Sequence, residues 1–282
     1  MKNFIIRTIT GVLFVAAIVT CFLRAEAMIL LFALVTGLTI WEFTGLVNER
    51  EHVTINRMIC TVAGVYFFFA MAGYNSGLTP ASVFIPYLVS IIYLQIAELY
   101  LIHDDPINNW AYTMMSQLYI ALPLSLLNVL AFQSDASGIH FVWSIPLSVF
   151  VFLWINDAGA YICGSLLGKH KLFPRISPGK SWEGSIGGGI LVIIVAVLVW
   201  YLSVQYAQNP LGLTAIEWAG LGLVVVVFGT WGDLVESLFK RTLGIKDSGH
   251  ILPGHGGMLD RFDSTLMAVP AAVVYLYTLQ ML

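Results

Sequence analysis

Charge is scarce in this sequence. Only 10% of its 282 residues are Asp, Glu, Lys or Arg, against about 25% in soluble domains. So few charges cannot dress a water-facing surface, and a mean hydropathy of +0.86 makes lipid the natural solvent for most of the chain. The formal net charge of -3 is too small to indicate a nucleic-acid partner. Cysteine is nearly absent. Cys21, Cys60 and Cys163 sit in apolar runs, are odd in number and match no zinc spacing, so they are read as small buried hydrophobes. No repeat, no low-complexity tract and no polar segment long enough for a separate soluble domain is present. The opening MKNFIIRTIT has the basic start of a signal peptide, but no cleavage site leads into a soluble domain, and it is expected to be a retained first membrane helix.

What the chain has is apolar runs. A helix needs about 20 apolar residues to cross the hydrocarbon core. Candidate spans are 4–23, 27–47, 57–73, 82–102, 112–132, 140–163, 185–206, 214–232 and 264–281. The expected fold class is therefore all-α, a polytopic membrane helical bundle of about nine transmembrane helices. It reads as one integral membrane unit, with N-terminal helices over 1–135 and a catalytic region over 136–282. Cytoplasmic loops carry the excess of Lys and Arg. With the N-terminus inside, twelve of the thirteen Lys and Arg fall on the cytoplasmic side and only Arg24 falls outside. This predicts a multi-pass protein of the cell (inner) membrane, with the N-terminus and the polar loops cytoplasmic.

Two charged segments fall on that side, separated by one helical hairpin. In the first, Asp157 lies near the end of span six, where an ionisable side chain is costly and marks a polar cavity or a structural pairing. Asn156 precedes it. Ala158, Gly159, Ala160 and Gly164 leave one helix face nearly bare, suited to close packing or to a ligand. Lys169, Lys171, Arg175 and Lys180 are four cations within twelve residues. Lys180 follows a Ser-Pro-Gly turn, and Ser181 is the expected N-cap of the next helix. A helix N-terminus beside a lysine suits a phosphate.

In the second segment, Asp233, Glu236, Ser237 and Lys240 recur at helical spacing and share one face. Arg241, Lys246 and Asp247 follow, then Gly254, His255, Gly256, Gly257, Asp260, Arg261, Asp263 and Ser264. A salt-bridged surface is one way to use five carboxylates within 31 residues. Their mixture with cations and glycine better suits a polyphosphate held through Mg²⁺, which prefers carboxylate and phosphate oxygens. His250 and His255 match no zinc motif, and hydrogen bonding within the loop and phosphate contact stay open for both.

The run Ser237–Asp263, SLFKRTLGIKDSGHILPGHGGMLDRFD, resembles the signature of phosphatidate cytidylyltransferases, also called CDP-diacylglycerol synthases. Every fixed position of S-x-x-K-R-x-x-x-x-K-D-x-G-x-x-x-P-G-H-G-G-x-x-D-R-x-D is matched. The upstream DAGAY and SPGKSWEG runs are similar to the same family, and together the motifs cover about the last 45% of the chain. The chain departs in carrying Ser165 where Arg or Lys is common, and Asn156 where a small residue is. The resemblance implies CMP transfer from CTP to phosphatidate, giving CDP-diacylglycerol and pyrophosphate for phospholipid biosynthesis. The catalytic residues would be Asp233, Asp260, Lys240 and Arg261. Asp157, Lys180, Ser181, Glu236, Ser237, Arg241, Lys246, Asp247, His255, Gly256 and Gly257 would bind substrate. Asp233, Asp260 and Asp263 would hold Mg²⁺, with room for a second cation. The partners would be CTP, phosphatidate and membrane lipid, with a homodimer allowed and no nucleic acid. The alternatives are a CTP-dependent kinase of polyprenol or another lipid, and an ion-coupled transporter, whose carboxylates would sit nearer the midplane.

Overall fold

The computed structural model describes residues 2–207, 211–249 and 256–279. In chain order the helices begin with α1 (Lys2–Phe22), α2 (Ala25–Val47) and α3 (Arg57–Asn75); a 3₁₀ turn at Ala81–Phe84 then leads into α4 (Ile85–Leu101). The next stretch is broken into α5 (Pro106–Met115), a π-helical segment at Ser116–Ala121, α6 (Leu122–Ser125) and α7 (Leu127–Ala131). A hairpin of β1 (Phe132–Asp135) and β2 (Gly138–Phe141) precedes α8 (Ser144–Leu167). A second hairpin, β3 (Lys171–Phe173) and β4 (Ser177–Ser181), leads into α9 (Trp182–Leu202). Then come α10 (Ala215–Thr242), α11 (Leu259–Phe262) and α12 (Thr265–Thr278).

Among the described residues seven helical segments are long and apolar enough to cross a membrane, and they coincide with expected spans two to eight. Expected spans one and nine are also helical, as α1, with its apolar stretch Thr10–Phe22, and α12, with 14 residues. The all-α membrane bundle is thus the observed architecture, and the protein is multi-pass. Expected span five starts earlier than its apolar run, because Asp105 caps α5 by accepting from Asn108 N at 3.0 Å and Pro106 takes the first helical turn. The π-helical stretch lies just before Pro123, which has no N–H to give to the helical ladder.

The chain divides into two compact units, neither contiguous in sequence. The first comprises residues 1–143 and 243–262; the second comprises residues 144–242 and 263–282. The first unit is built on α2 and α3. Aromatic contacts Phe22–Phe32 (5.3 Å) and Phe32–Phe262 (6.0 Å) join α1, α2 and the late segment α11 in one core. The second unit packs α8, α9, α10 and α12. Its α8 and α9 touch backbone to backbone: a Cβ added to Gly188 would meet Asn156 O at 2.8 Å, and one added to Gly159 would meet Gly188 Cα at 3.0 Å. The bare helix face seen in the sequence is therefore used for packing.

Candidate active site

The second unit holds a polar cavity of about 400 Å³. Its walls include Asn156 and Asp157 from α8, Lys180 and Ser181 from β4, Asp233 from α10 and Ser264 ahead of α12. Local sequence explains the placement. The β3–β4 hairpin pairs Lys171 with Ser181 and so delivers Lys180 beside the start of α9. Ser181 is the N-cap, its Oγ accepting from Gly184 N at 3.2 Å, as the sequence indicates. Lys180 Nζ lies 2.7 Å from Asp233 Oδ2, and Ser237 Oγ donates to Asp233 Oδ1 at 3.1 Å. One lysine and one serine thus orient the Asp233 carboxylate.

Asp263 belongs to the same electrostatic group. Burial first, and then the charge of Asp233, push its carboxyl up to about 7; Asp157 adds to the rise, while Ser264 N–H and Lys180 oppose it. Asp263 therefore sits in the field of two other carboxylates and one lysine. Asn156 Oδ1, at the same wall, is buried and accepts no hydrogen bond among the described residues. The donor set is all oxygen, with surplus negative charge, and its chemistry fits a hard divalent cation. Among the described residues no group of three or more His, Cys, Asp or Glu side chains is arranged to hold a metal ion by itself. A cation here would complete its shell with phosphate or water oxygens, as Mg²⁺ commonly does.

Further along α10, Lys240 Nζ lies 2.7 Å from Glu236 Oε2, and Glu236 is fully buried. Lys240 and Arg241 occupy the last turn of α10, where positive charge complements the helix dipole. Lys240, which the resemblance makes a catalytic residue, also serves as counter-ion to a buried acid. Arg241 is exposed.

Beside the polar cavity lies an apolar groove of about 370 Å³ between α9 and α10. Ser185 and Thr230 line both, so the two spaces share a wall. Trp182, Ile190, Val227 and Trp231 also line the groove.

The first unit carries the other part of the signature. There Asp260 Oδ2 accepts from Ser248 N and Gly257 N, both at 2.8 Å. Glu42, in α2, is 8% exposed. It accepts from Ser248 Oγ, from Met258 N at 2.9 Å and from Leu259 N at 3.0 Å. The glycines fit around these carboxylates. A Cβ on Gly257 would fall 2.1 Å from Glu42 Oε1, and one on Gly249 would fall 2.5 Å from Glu42 Oε2. Gly256 adopts φ +78°, a left-handed conformation favouring glycine.

Of the residues singled out from the sequence, Asp157, Lys180, Ser181, Asp233, Glu236, Ser237, Lys240, Arg241 and Asp263 lie in the second unit. The structure brings Lys180, Ser237 and Asp233 into direct contact. Lys246, Asp247, Gly256, Gly257, Asp260 and Arg261 lie in the first unit. Lys246, Asp247 and Arg261 are exposed. His250 and His255 fall outside the described residues. Sequence reasoning missed Glu42. Its signal was present: a single acid inside an apolar span.

Fold and site together define a multi-pass membrane protein with a polar cavity, lined by carboxylates and a lysine, next to an apolar groove. The chain belongs to the cytidylyltransferase family, whose sequence profile matches residues 5–279. It is 42% identical over 160 residues to a phosphatidate cytidylyltransferase of Staphylococcus aureus (strain COL), and 44% identical over the same length to those of Staphylococcus haemolyticus and Staphylococcus saprophyticus. Each alignment takes in 57% of this chain and 56% of the relative, so the chain matches little more than half the length of these curated proteins.

Proposed function

We propose that the protein transfers CMP from CTP to phosphatidate, giving CDP-diacylglycerol and pyrophosphate, at the cytoplasmic face of the cell (inner) membrane. The observation that carries this reading is the shared wall of the polar cavity and the apolar groove. A lipid with an anionic phosphate head needs both kinds of surface within its own length. The staphylococcal relatives carry the same activity in their names.

In this reading a phosphate oxygen of phosphatidate attacks the α-phosphorus of CTP. The new P–O bond joins lipid to CMP, and the bond to the β-phosphate breaks, releasing pyrophosphate. Both reactants are anions, so electrostatic positioning supplies most of the acceleration. Lys180, held at Asp233, would take a phosphate oxygen as the nucleotide arrives. Ser237 keeps Asp233 oriented during that exchange. Of the acids that the resemblance assigns to Mg²⁺, Asp233, Asp260 and Asp263, it is Asp233 that lines the cavity, and it would hold the ion together with substrate oxygens. The bound ion would supply charge neutralisation at the transferring phosphate. Arg241 in the second unit and Arg261 in the first are exposed cations that the family resemblance assigns to this reaction.

The test is purified protein in lipid nanodiscs with CTP, phosphatidate and Mg²⁺. CDP-diacylglycerol should form and its formation should stop on chelation; no lipid product with metal present would end the proposal. Orientation is tested separately by cysteines placed at Ser177 and Asp247 in a background free of native cysteine. An impermeant reagent applied to intact cells should leave both unlabelled.

A further inference from the structure

The signature segment has two described ends, Ser248–Gly249 and Gly256–Phe262, on either side of residues 250–255. Two carboxylates fasten those ends, and they do different work. Asp260 ties one end to the other, since its Oδ2 takes Ser248 N and Gly257 N. That link lies within the segment and would travel with it. Glu42 belongs to α2, 206 residues before Ser248, and takes Ser248 Oγ and the N–H groups of Met258 and Leu259. Leu259 begins α11, so Glu42 caps a helix start from a different helix. All three donors are buried, and Ser248 is 3% exposed. Gly249 and Gly257 leave the room that the carboxylate fills.

We propose that Glu42 is a positioning residue for the nucleotidyl-transfer reaction: it fixes the signature segment to α2 and thereby sets the attitude of α11 and of Arg261 on it. The proposal rests on the function given above. The geometry shows why a carboxylate is needed. One oxygen serves Ser248 and Leu259, and the other serves Met258. An amide has one acceptor oxygen, so in either orientation one backbone N–H faces an N–H₂ group. Leaving a buried donor without an acceptor is expensive, and the segment would shift to relieve it. The side chain of Asp is one methylene shorter and cannot span the same three donors.

The experiment compares wild type, Glu42→Gln and Ser248→Ala in nanodiscs, with two readouts. Hydrogen exchange of the 243–262 backbone needs no catalysis. Turnover is measured per folded molecule, with kcat and KM for CTP determined separately. Faster exchange in Glu42→Gln confined to 256–262, with kcat/KM for CTP reduced at least tenfold and exchange of α8 and α9 unchanged, is the expected result. Faster exchange with unaltered kcat and KM would reduce Glu42 to a purely structural role and overturn the proposal. So would unaltered exchange. If Glu42→Gln does not fold, Ser248→Ala decides. It keeps both backbone contacts of Glu42 and should lower kcat/KM a few-fold; wild-type kinetics there would overturn the proposal. If wild type itself makes no CDP-diacylglycerol, the proposed function fails, while the exchange data still report whether Glu42 holds the segment.

Discussion

The two charged regions use the same residue types to opposite ends. In the second unit, Asp157, Asp233 and Lys180 line a cavity wall, and Asp263 beside it feels the charge of both acids, which Lys180 only partly offsets. In the first unit, Glu42 and Asp260 are surrounded by backbone N–H groups and a serine hydroxyl. Repulsion held in place is what a site for a cation and phosphates requires. A carboxylate answered by several donors, two at Asp260 and three at Glu42, is held firmly in place by them. The difference separates two acids, Asp260 and Asp263, that stand three residues apart in one motif and that the family resemblance assigns alike to the metal.

The strongest way to break this comparison is to neutralise Asp233 and Asp260 in turn. Asp233→Asn should lower CDP-diacylglycerol formation by more than a hundredfold while leaving the melting temperature in nanodiscs unchanged. Retained Mg²⁺-dependent turnover would remove Asp233 from the site. Asp260→Asn should lose stability as well as activity. Two hydrogen bonds to a charged acceptor are weakened, each contributing about 1.5–3 kcal/mol. A variant as stable as wild type would contradict the fastening role.

Smaller effects sharpen the same distinction. Arg261→Lys keeps the charge and loses the bidentate fork, so turnover should fall about tenfold with insertion intact; equal turnover would make Arg261 a topological charge only. Asp263→Asn removes one member of the repelling group. It should raise the melting temperature by a few degrees while lowering activity, because strain kept for binding is relieved. A lower melting temperature would show that Asp263 is satisfied in the folded protein and carries no such strain.

Much of this was legible in the sequence because it is local. Apolar run length gave the spans, the 3.6-residue period put Asp233, Glu236, Ser237 and Lys240 on α10, and Ser181 announced its own cap. The rest depends on distance along the chain. Glu42 meets partners more than 200 residues away, and no periodicity encodes that pairing. The hairpin that presents Lys180 is short and lies in a Pro- and Gly-containing stretch without strand alternation, so its sequence indicates only a turn. The sequence could assign Gly256 and Gly257 to ligand approach; the structure adds an internal demand from Asp260 and Glu42.

The central claim is transfer at the α-phosphorus of CTP to a lipid phosphate. The most direct measurement incubates the purified protein with phosphatidate and with CTP labelled separately at the α and γ positions. The account predicts lipid labelled only from the α position, with the γ label recovered in pyrophosphate. Lipid carrying the γ label would mean a CTP-dependent lipid kinase and would contradict the account.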